Sequence, residues 1–131
     1  MYAADFDYVK ASSIEEAISL KGSNDDSNFL AGGHSLIPAM KLRLSTPQKL
    51  IDISGLGELK NISENGNYIS IGALCTHKQC SDSDIIQSIC PALSDAASVI
   101  GDPHVRNKGT IGGALAHSDP QADYPLSLIH I

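Results

Sequence analysis

Two pairs of adjacent glycines are the residues of this sequence whose type and spacing best suit chemistry. They lie in residues 31–35 (AGGHS) and 110–114 (TIGGA), each after a short apolar run. Glycine accepts positive φ angles and lets a ligand approach the backbone, because it has no Cβ. Adjacent N–H groups at the start of a helix can then bind a phosphate, and Ser35 and Thr110 add hydroxyl donors. Two such loops in different halves of the chain favour a phosphate-containing ligand held between the halves.

The charge balance indicates how such a ligand would be bound. Nine Lys and Arg residues stand against fifteen Asp and Glu residues, which gives a net charge of −6. The basic side chains cluster only at Lys41-Leu42-Arg43 and Arg106-Asn107-Lys108. A nucleic-acid-binding protein needs a basic face, so no nucleic-acid partner is expected. An anionic ligand would have to be bound by backbone N–H groups instead.

Other catalytic and binding patterns do not fit this sequence. It contains neither G-x-G-x-x-G nor G-x-x-x-x-G-K-[ST], and no G-x-S-x-G, which disfavours Rossmann, P-loop and serine-hydrolase sites. The five histidines lack metal-ligand spacing and are expected in loops or in solvent. Three cysteines spaced C-x4-C-x9-C favour buried or half-buried free thiols rather than disulfides or a zinc site. We therefore predict no metal site and no serine-hydrolase site.

The elements that must position the two glycine pairs differ between the halves. In the first half, apolar runs at 6–9, 28–31 and 50–53 predict three strands. Helices are predicted after the N-capping pair Ser12-Ser13 and from Leu36 to about Leu44. The resulting β-α-β-α-β unit predicts a small, largely parallel sheet in a first subdomain, residues 1–55.

The second subdomain, residues 56–131, follows a different pattern. Asn65-Gly66-Asn67 between two apolar segments predicts an antiparallel hairpin. Apolar residues between Thr76 and Ile100 predict helices, which Pro91 breaks into two. A short strand at Thr110-Ile111 is then expected to run into the second glycine pair.

Several motifs together resemble the flavin-binding medium subunit of molybdenum hydroxylases, the family of carbon monoxide dehydrogenase and xanthine dehydrogenase. They are A-G-G-H-S, L-I-P-x-M-K, L-I-D-I, G-D-P-x-V-R-N-x-G-T-I-G-G and S-D-P-x-A-D-Y-P, in this order from about residue 6 to residue 125. The resemblance implies an α+β fold of the vanillyl-alcohol-oxidase (PCMH) type, built from two small α/β subdomains.

The resemblance also implies an FAD site. In that family both glycine loops bind the FAD pyrophosphate between the subdomains, Asp123 is expected near the cofactor, and Ile100 occupies a position beside the flavin. The family usually has Asn where this chain has Ala114, which removes one side-chain donor. The implied cofactor-binding residues are Ala31, Gly32, Gly33, His34, Ser35, Ile100, Thr110, Ile111, Gly112, Gly113, Ala114 and Asp123.

The implied function is an FAD-binding electron-transfer domain of a multi-subunit molybdopterin-dependent dehydrogenase. It would pass electrons from iron–sulfur clusters through FAD to an acceptor, with an iron–sulfur subunit and a molybdopterin subunit as partners. A cytoplasmic location without a membrane span is expected. Members of the family continue with further strands, so the second subdomain is expected to be incomplete, and residues 126–131 do not resemble the family. Two alternatives stay open: a stand-alone flavin oxidase of the same fold, and a truncated, non-catalytic nucleotide-binding domain.

Overall fold

Each half of the chain forms a unit with its own sheet. The computed structural model describes residues 1–119 and Tyr124. Contacts divide the chain into two units, Met1–Gly57 and Glu58–Ile131. None of the helices in the described residues is long and apolar enough to cross a membrane.

The first unit contains a three-stranded parallel sheet and two helices, as the sequence predicts. Its elements in chain order are β1 (Asp7–Lys10), α1 (Ile14–Ser23), β2 (Ser27–Leu30), α2 (Leu36–Lys41) and β3 (Lys49–Asp52). The strand order is β1-β3-β2, and β3 pairs in parallel with both neighbours. Parallel strands need a crossover connection, and each of the two crossovers here contains one helix.

Local capping explains the start of α1. The Ser13 side chain accepts a hydrogen bond from the Glu16 N–H at 3.1 Å, as expected for a serine N-cap. Glu15 and Glu16 in the first turn suit the positive end of the helix dipole. The buried side of α1 is Ala17, which packs in one cluster with Ile51 of the central strand. This cluster fixes α1 against one face of the sheet.

The opposite face of the sheet lies over a cavity. Leu50 pairs with Tyr8 while its neighbour Ile51 pairs with Val9, so these side chains alternate between the two faces. Leu50, Tyr8 and Met40 of α2 line an apolar cavity of about 250 Å³. With helices on the crossovers and apolar side chains on both faces, the sheet holds the loop after β2 in a defined place.

The second unit begins with the predicted hairpin. A short 3-10 helix (Gly57–Leu59) precedes β4 (Ile62–Asn65) and β5 (Tyr68–Ile71), which pair antiparallel. Gly66 in the turn has a φ of 60°, a conformation that glycine adopts without strain.

Three helices, not two, occupy residues 77–98. They are α3 (His77–Asp82), α4 (Asp84–Ile89) and α5 (Pro91–Ser98). Pro91 begins α5, so the predicted break is present, but Ser83 makes a second one. Its backbone is extended, with φ −71° and ψ 117°, and its side chain accepts from the Ile86 N–H. Serine at this position therefore ends α3 and caps α4.

The predicted strand at Thr110-Ile111 is wrong. After α6 (Pro103–Lys108), Thr110 forms an isolated antiparallel bridge with Thr76, and Ile111 already begins α7 (Ile111–His117). The Thr110 side chain accepts from the Gly113 N–H at 3.1 Å, so it caps a helix instead of continuing a strand.

The core of the second unit consists of small and aliphatic side chains and one tyrosine. Cys75 and Cys80 are buried free thiols and Cys90 is a half-buried one, which confirms the predicted state of the cysteines. Burial raises the pKa of the Cys80 thiol to about 11, so this thiol stays protonated and unreactive at neutral pH. The buried residues of this core are Cys75, Cys80, Ile86, Leu93, Ala97, Ile111 and Tyr124.

Candidate functional site

The first glycine loop turns the chain from β2 into α2. Gly33 has a φ of 78°, in the left-handed region that glycine adopts without strain. A Cβ built on Gly33 would lie 2.9 Å from Cδ1 of Ile37. The Gly33 carbonyl accepts from the Ile37 N–H at 3.0 Å, so the turn is joined directly to the helix. Gly33 is therefore needed both for its backbone conformation and for the space above it.

The N–H groups of this loop are available to a ligand. Those of residues 32–36 donate no hydrogen bond to any atom in the described part of the chain. Ser35 precedes α2 without capping it through its side chain. Gly32 and Gly33 are half-buried, whereas His34 and Ser35 are exposed. A run of five unpartnered N–H groups fits the oxygen atoms of a pyrophosphate, which need several donors close together.

The second glycine loop differs, because its N–H groups already have partners. The structure corrects the expectation that residues 111–114 form an open cradle of donors. Each of these four N–H groups donates to an oxygen atom of the protein. The pairs are Ile111 to the Cys75 carbonyl (2.9 Å), Gly112 to the Ala73 carbonyl (2.9 Å), Gly113 to Thr110 Oγ1 (3.1 Å) and Ala114 to the Thr110 carbonyl (3.0 Å).

Glycine is required in this loop for packing. A Cβ on Gly112 would lie 2.6 Å from the Ala73 carbonyl oxygen, and one on Gly113 would lie 2.8 Å from Thr110 Oγ1. Neither glycine has a positive φ, and nor does Gly32, so the conformational role predicted for these three is wrong. Gly113 is nevertheless exposed, so its missing Cβ leaves the start of α7 open to a ligand.

Ile100 lies in a turn that Arg106 braces. Its side chain is half-buried against the core of the second unit. Nη1 of Arg106 donates to the carbonyls of Ile100 and Gly101, at 3.1 Å each. Gly101 has a φ of 50°, which allows the tight turn into α6. Asp123, also predicted as a site residue, lies outside the described residues.

The sequence reasoning did not predict that Asp52 and His77 are buried. Asp52, at the carboxyl end of β3, accepts from the Tyr8 hydroxyl and from the Ser54 N–H at 2.9 Å. Burial alone would raise the pKa of Asp52, but hydrogen bonds from Ser54 and Tyr8 and the nearby Lys10 charge lower it overall. Asp52 is thus a structural carboxylate that holds the end of the central strand.

His77 is the second of these groups, and it is not in a loop or in solvent as expected. It is buried in the first turn of α3, and Nδ1 lies 2.7 Å from Oη of Tyr124. Burial lowers the pKa of His77. A signal was present in the sequence: Thr76 and Gln79 form a capping box, which places His77 three residues before the apolar Cys80 on one helical face.

Residues 4–131 match the family described as the FAD binding domain in molybdopterin dehydrogenase. The chain belongs to this family. The match confirms the resemblance seen in the sequence motifs, and the cofactor of the family is FAD.

Individual relatives agree with this assignment. The chain is 44% identical over 128 residues to the glyceraldehyde dehydrogenase medium chain of Sulfolobus acidocaldarius, covering 98% of this chain and 46% of the relative. It is 46% identical over 121 residues to the carbon monoxide dehydrogenase medium chain of Hydrogenophaga pseudoflava, covering 92% and 42%.

A solved structure confirms the predicted fold class. The carbon monoxide dehydrogenase from Hydrogenophaga pseudoflava that lacks the Mo-pyranopterin moiety of its cofactor superposes with a TM-score of 0.92 at 46% identity. The superposition covers 95% of this chain and 44% of that one. The chain thus has the α+β FAD-binding fold and spans less than half the length of these relatives.

Proposed function

We propose that this chain is the FAD-binding electron-transfer domain of a multi-subunit molybdopterin-dependent dehydrogenase. The family match and relatives named as medium chains of dehydrogenases support the proposal. The single structural observation that carries it is the row of N–H groups at residues 32–36, which have no partner among the described residues. In a chain with a net charge of −6, these groups are the donors best suited to a diphosphate.

The first loop would bind the pyrophosphate through its backbone. The positive φ of Gly33 changes the direction of the backbone, and with it the direction of the N–H groups along the loop. Gly32 has no Cβ that would keep a phosphate oxygen atom away from these groups. The exposed Ser35 hydroxyl adds one donor. Ala31 begins the proposed loop, and His34 lies within it and contributes its N–H group.

The second loop would contribute a surface that FAD can contact, and not a set of free N–H donors. Its N–H groups are used within the second unit, whereas Gly113 is exposed and has no side chain. The Thr110 side chain is buried and accepts from the Gly113 N–H, so it would shape this surface by capping α7. We propose that Thr110–Ala114, Ile100 and Asp123 contact FAD in this way.

Bound FAD supplies the electron-transfer chemistry, which no side chain of this chain needs to perform. The chain's own residues bind and orient the cofactor, so no acid, base or nucleophile is assigned. As partners we propose an iron–sulfur subunit and a molybdopterin subunit. The name of a further relative, subunit alpha of a dehydrogenase complex, supports an assembly of several chains. A cytoplasmic location stays a prediction from the sequence.

Ligand selectivity tests the proposal. The apo-chain is titrated with FAD, FMN and riboflavin, and bound flavin is measured by its absorbance after gel filtration. We expect FAD to bind much more tightly than riboflavin, because the N–H groups of residues 32–36 would donate hydrogen bonds to the pyrophosphate, which riboflavin lacks. ADP, which has the diphosphate and no flavin, should compete with FAD. Equal affinity for FAD and riboflavin would show that the glycine loops are only structural.

The proposed partners need a separate test. The chain is expressed in its native host with an affinity tag, and the co-purified material is analysed for iron, acid-labile sulfide and molybdenum. We expect an iron–sulfur protein and a molybdenum protein in fixed ratio to the chain. Recovery of the flavin-loaded chain without either would favour a stand-alone flavoprotein.

A further inference from the structure

A buried histidine and a buried tyrosine meet in the core of the second unit. Nδ1 of His77 lies 2.7 Å from Oη of Tyr124, and the two ring centroids are 5.2 Å apart. His77 is 4% exposed and Tyr124 is 1% exposed. The two residues are 47 positions apart in the sequence, so this hydrogen bond joins distant segments. With so little exposed surface, neither side chain can act on a ligand directly.

His77 also contacts the residue that precedes the second glycine loop. Its backbone N–H donates to the Gly109 carbonyl at 3.1 Å. A Cβ on Gly109 would lie 2.7 Å from Nε2 of the His77 ring, so the ring occupies the space beside this glycine. Next to this contact, Thr76 pairs with Thr110 in the antiparallel bridge. His77 therefore fixes the start of α7 through its backbone and through its ring.

We propose that the hydrogen-bonded pair of His77 and Tyr124, here called the His–Tyr lock, positions the second half of the FAD site. This inference rests on the proposed function. On one side the lock contacts Gly109, which leads into Thr110–Ala114. On the other it holds Tyr124 in the core of the second unit. Both are positioning residues, because they act on the cofactor through these neighbours.

The chemistry of the lock makes it sensitive to a single atom. Removing the Tyr124 hydroxyl leaves a buried ring nitrogen without its partner, and burial of an unpaired polar group is costly. Phenylalanine keeps the shape of the ring, so a Tyr124→Phe substitution removes the hydrogen bonds of the hydroxyl, to His77 and to the Cys80 thiol, and leaves the packing in place. His77→Asn keeps a polar atom near the position of Nδ1, whereas His77→Ala removes both the polar atom and the ring.

Four variants of the chain test the lock: Tyr124→Phe, His77→Asn, His77→Ala and, as a matched control, Tyr68→Phe. Tyr68 lies on β5 and is 78% exposed. The dissociation constant for FAD is measured for each variant at a temperature where its far-ultraviolet circular dichroism shows it to be folded. The visible circular dichroism of the bound flavin reports its surroundings.

We expect Tyr124→Phe to weaken FAD binding about tenfold, within the range for leaving a buried group unpaired. We also expect an altered visible circular dichroism spectrum of the bound flavin. His77→Ala should weaken binding further, His77→Asn should recover part of the loss, and Tyr68→Phe should bind as the unsubstituted chain does. If Tyr124→Phe does not fold, the comparison of His77→Asn with His77→Ala decides the result.

The outcomes separate this inference from the proposed function. If the folded variants lose thermal stability but bind FAD with unchanged affinity and spectrum, the lock only stabilises the core and the inference is wrong. In that case the proposed function stands, because the unsubstituted chain still binds FAD. If the unsubstituted chain takes up no FAD, the proposed function and this inference are overturned together.

Discussion

Gly33 and Gly113 occupy equivalent places in two similar motifs, yet they are required for different physical reasons. Gly33 has a left-handed backbone and lies in a row of N–H groups that donate to nothing in the part of the chain that the structure describes. Gly113 is helical, its N–H donates to Thr110 Oγ1, and a Cβ there would crowd that oxygen. The motif alone predicted both positions but not this difference, because the second loop is held by long-range contacts: the Ile111 and Gly112 N–H groups donate to Cys75 and Ala73, which are far away in the sequence.

Substitution of Gly33 should therefore affect the cofactor directly. A β-branched residue at a φ of 78° is strained, and a left-handed L-residue costs roughly 1–2 kcal/mol. We expect Gly33→Val to weaken FAD binding by about tenfold or more, since 1.4 kcal/mol corresponds to a factor of ten. Gly22→Val is the matched control, because Gly22 is exposed and a Cβ there meets no atom within 4 Å. Equal retention of FAD by both variants would contradict the role of the first loop.

His77 predicts a pH dependence of folding stability. Burial lowers its pKa below the ordinary 6.5, so the folded state binds this proton less readily than the unfolded state does. The stabilisation from neutral His77 is therefore complete above pH 6.5 and is lost as the pH falls below it. Urea unfolding at pH 7.5 and at about pH 5.5 measures the loss. His77→Asn should show a smaller difference between the two pH values, and an unchanged difference would assign the effect to other groups.

At the scale of elements, local signals predicted those structures whose stabilising contacts are local. The Ser13 cap of α1 and the turn at Gly66 involve residues within a few positions of one another. The start of α7 does not, because Thr110 pairs with Thr76 and the next N–H groups bond to residues 73–75. A short apolar run such as 109–116 fits a strand or a helix equally well until its partners are known. This is why the predicted strand was wrong.

The cap of α7 gives a prediction at this scale. Thr110→Val removes the hydroxyl that accepts from Gly113 and keeps the volume of the side chain. We expect it to lower the free energy of unfolding by about 1 kcal/mol, the usual cost of losing a helix cap. Thr110→Ser should restore most of this loss in chemical denaturation. Thr46→Val, at an exposed threonine, is the control and should change the stability little. A Thr110→Val chain as stable as the control would show that the cap contributes nothing.

At the scale of the whole molecule, the sequence predicted the topology of the first unit better than that of the second. The parallel β-α-β-α-β order follows from alternating strand and helix patterns and from few allowed crossovers. In the second unit the fold depends on contacts such as His77 with Tyr124, which are 47 residues apart and carry no local signal. The same holds for the candidate site. The motifs predicted the positions of its two loops, but distant contacts decide which N–H groups of these loops are available to a ligand.

The net charge of the molecule yields a last prediction, on salt. An anion bound by lysine and arginine side chains binds more weakly as salt rises, because the Debye length falls from about 10 Å at 0.1 M to about 3 Å at 1 M. This chain has a net charge of −6, and the proposed donors for FAD are backbone N–H groups. Salt should then screen a net repulsion between the protein and the diphosphate.

We therefore expect the dissociation constant for FAD to stay within about twofold, or to fall, between 0.05 M and 0.5 M sodium chloride, because screening acts mainly on the long-range repulsion. Riboflavin, which has no phosphate charge, serves as the baseline for salt effects on the flavin ring itself. Isothermal titration calorimetry measures both ligands under the same conditions. An FAD affinity that drops about tenfold relative to this baseline would identify a site built from cationic side chains, since screening weakens such attraction, and would exclude the backbone donors of residues 32–36 as its main component.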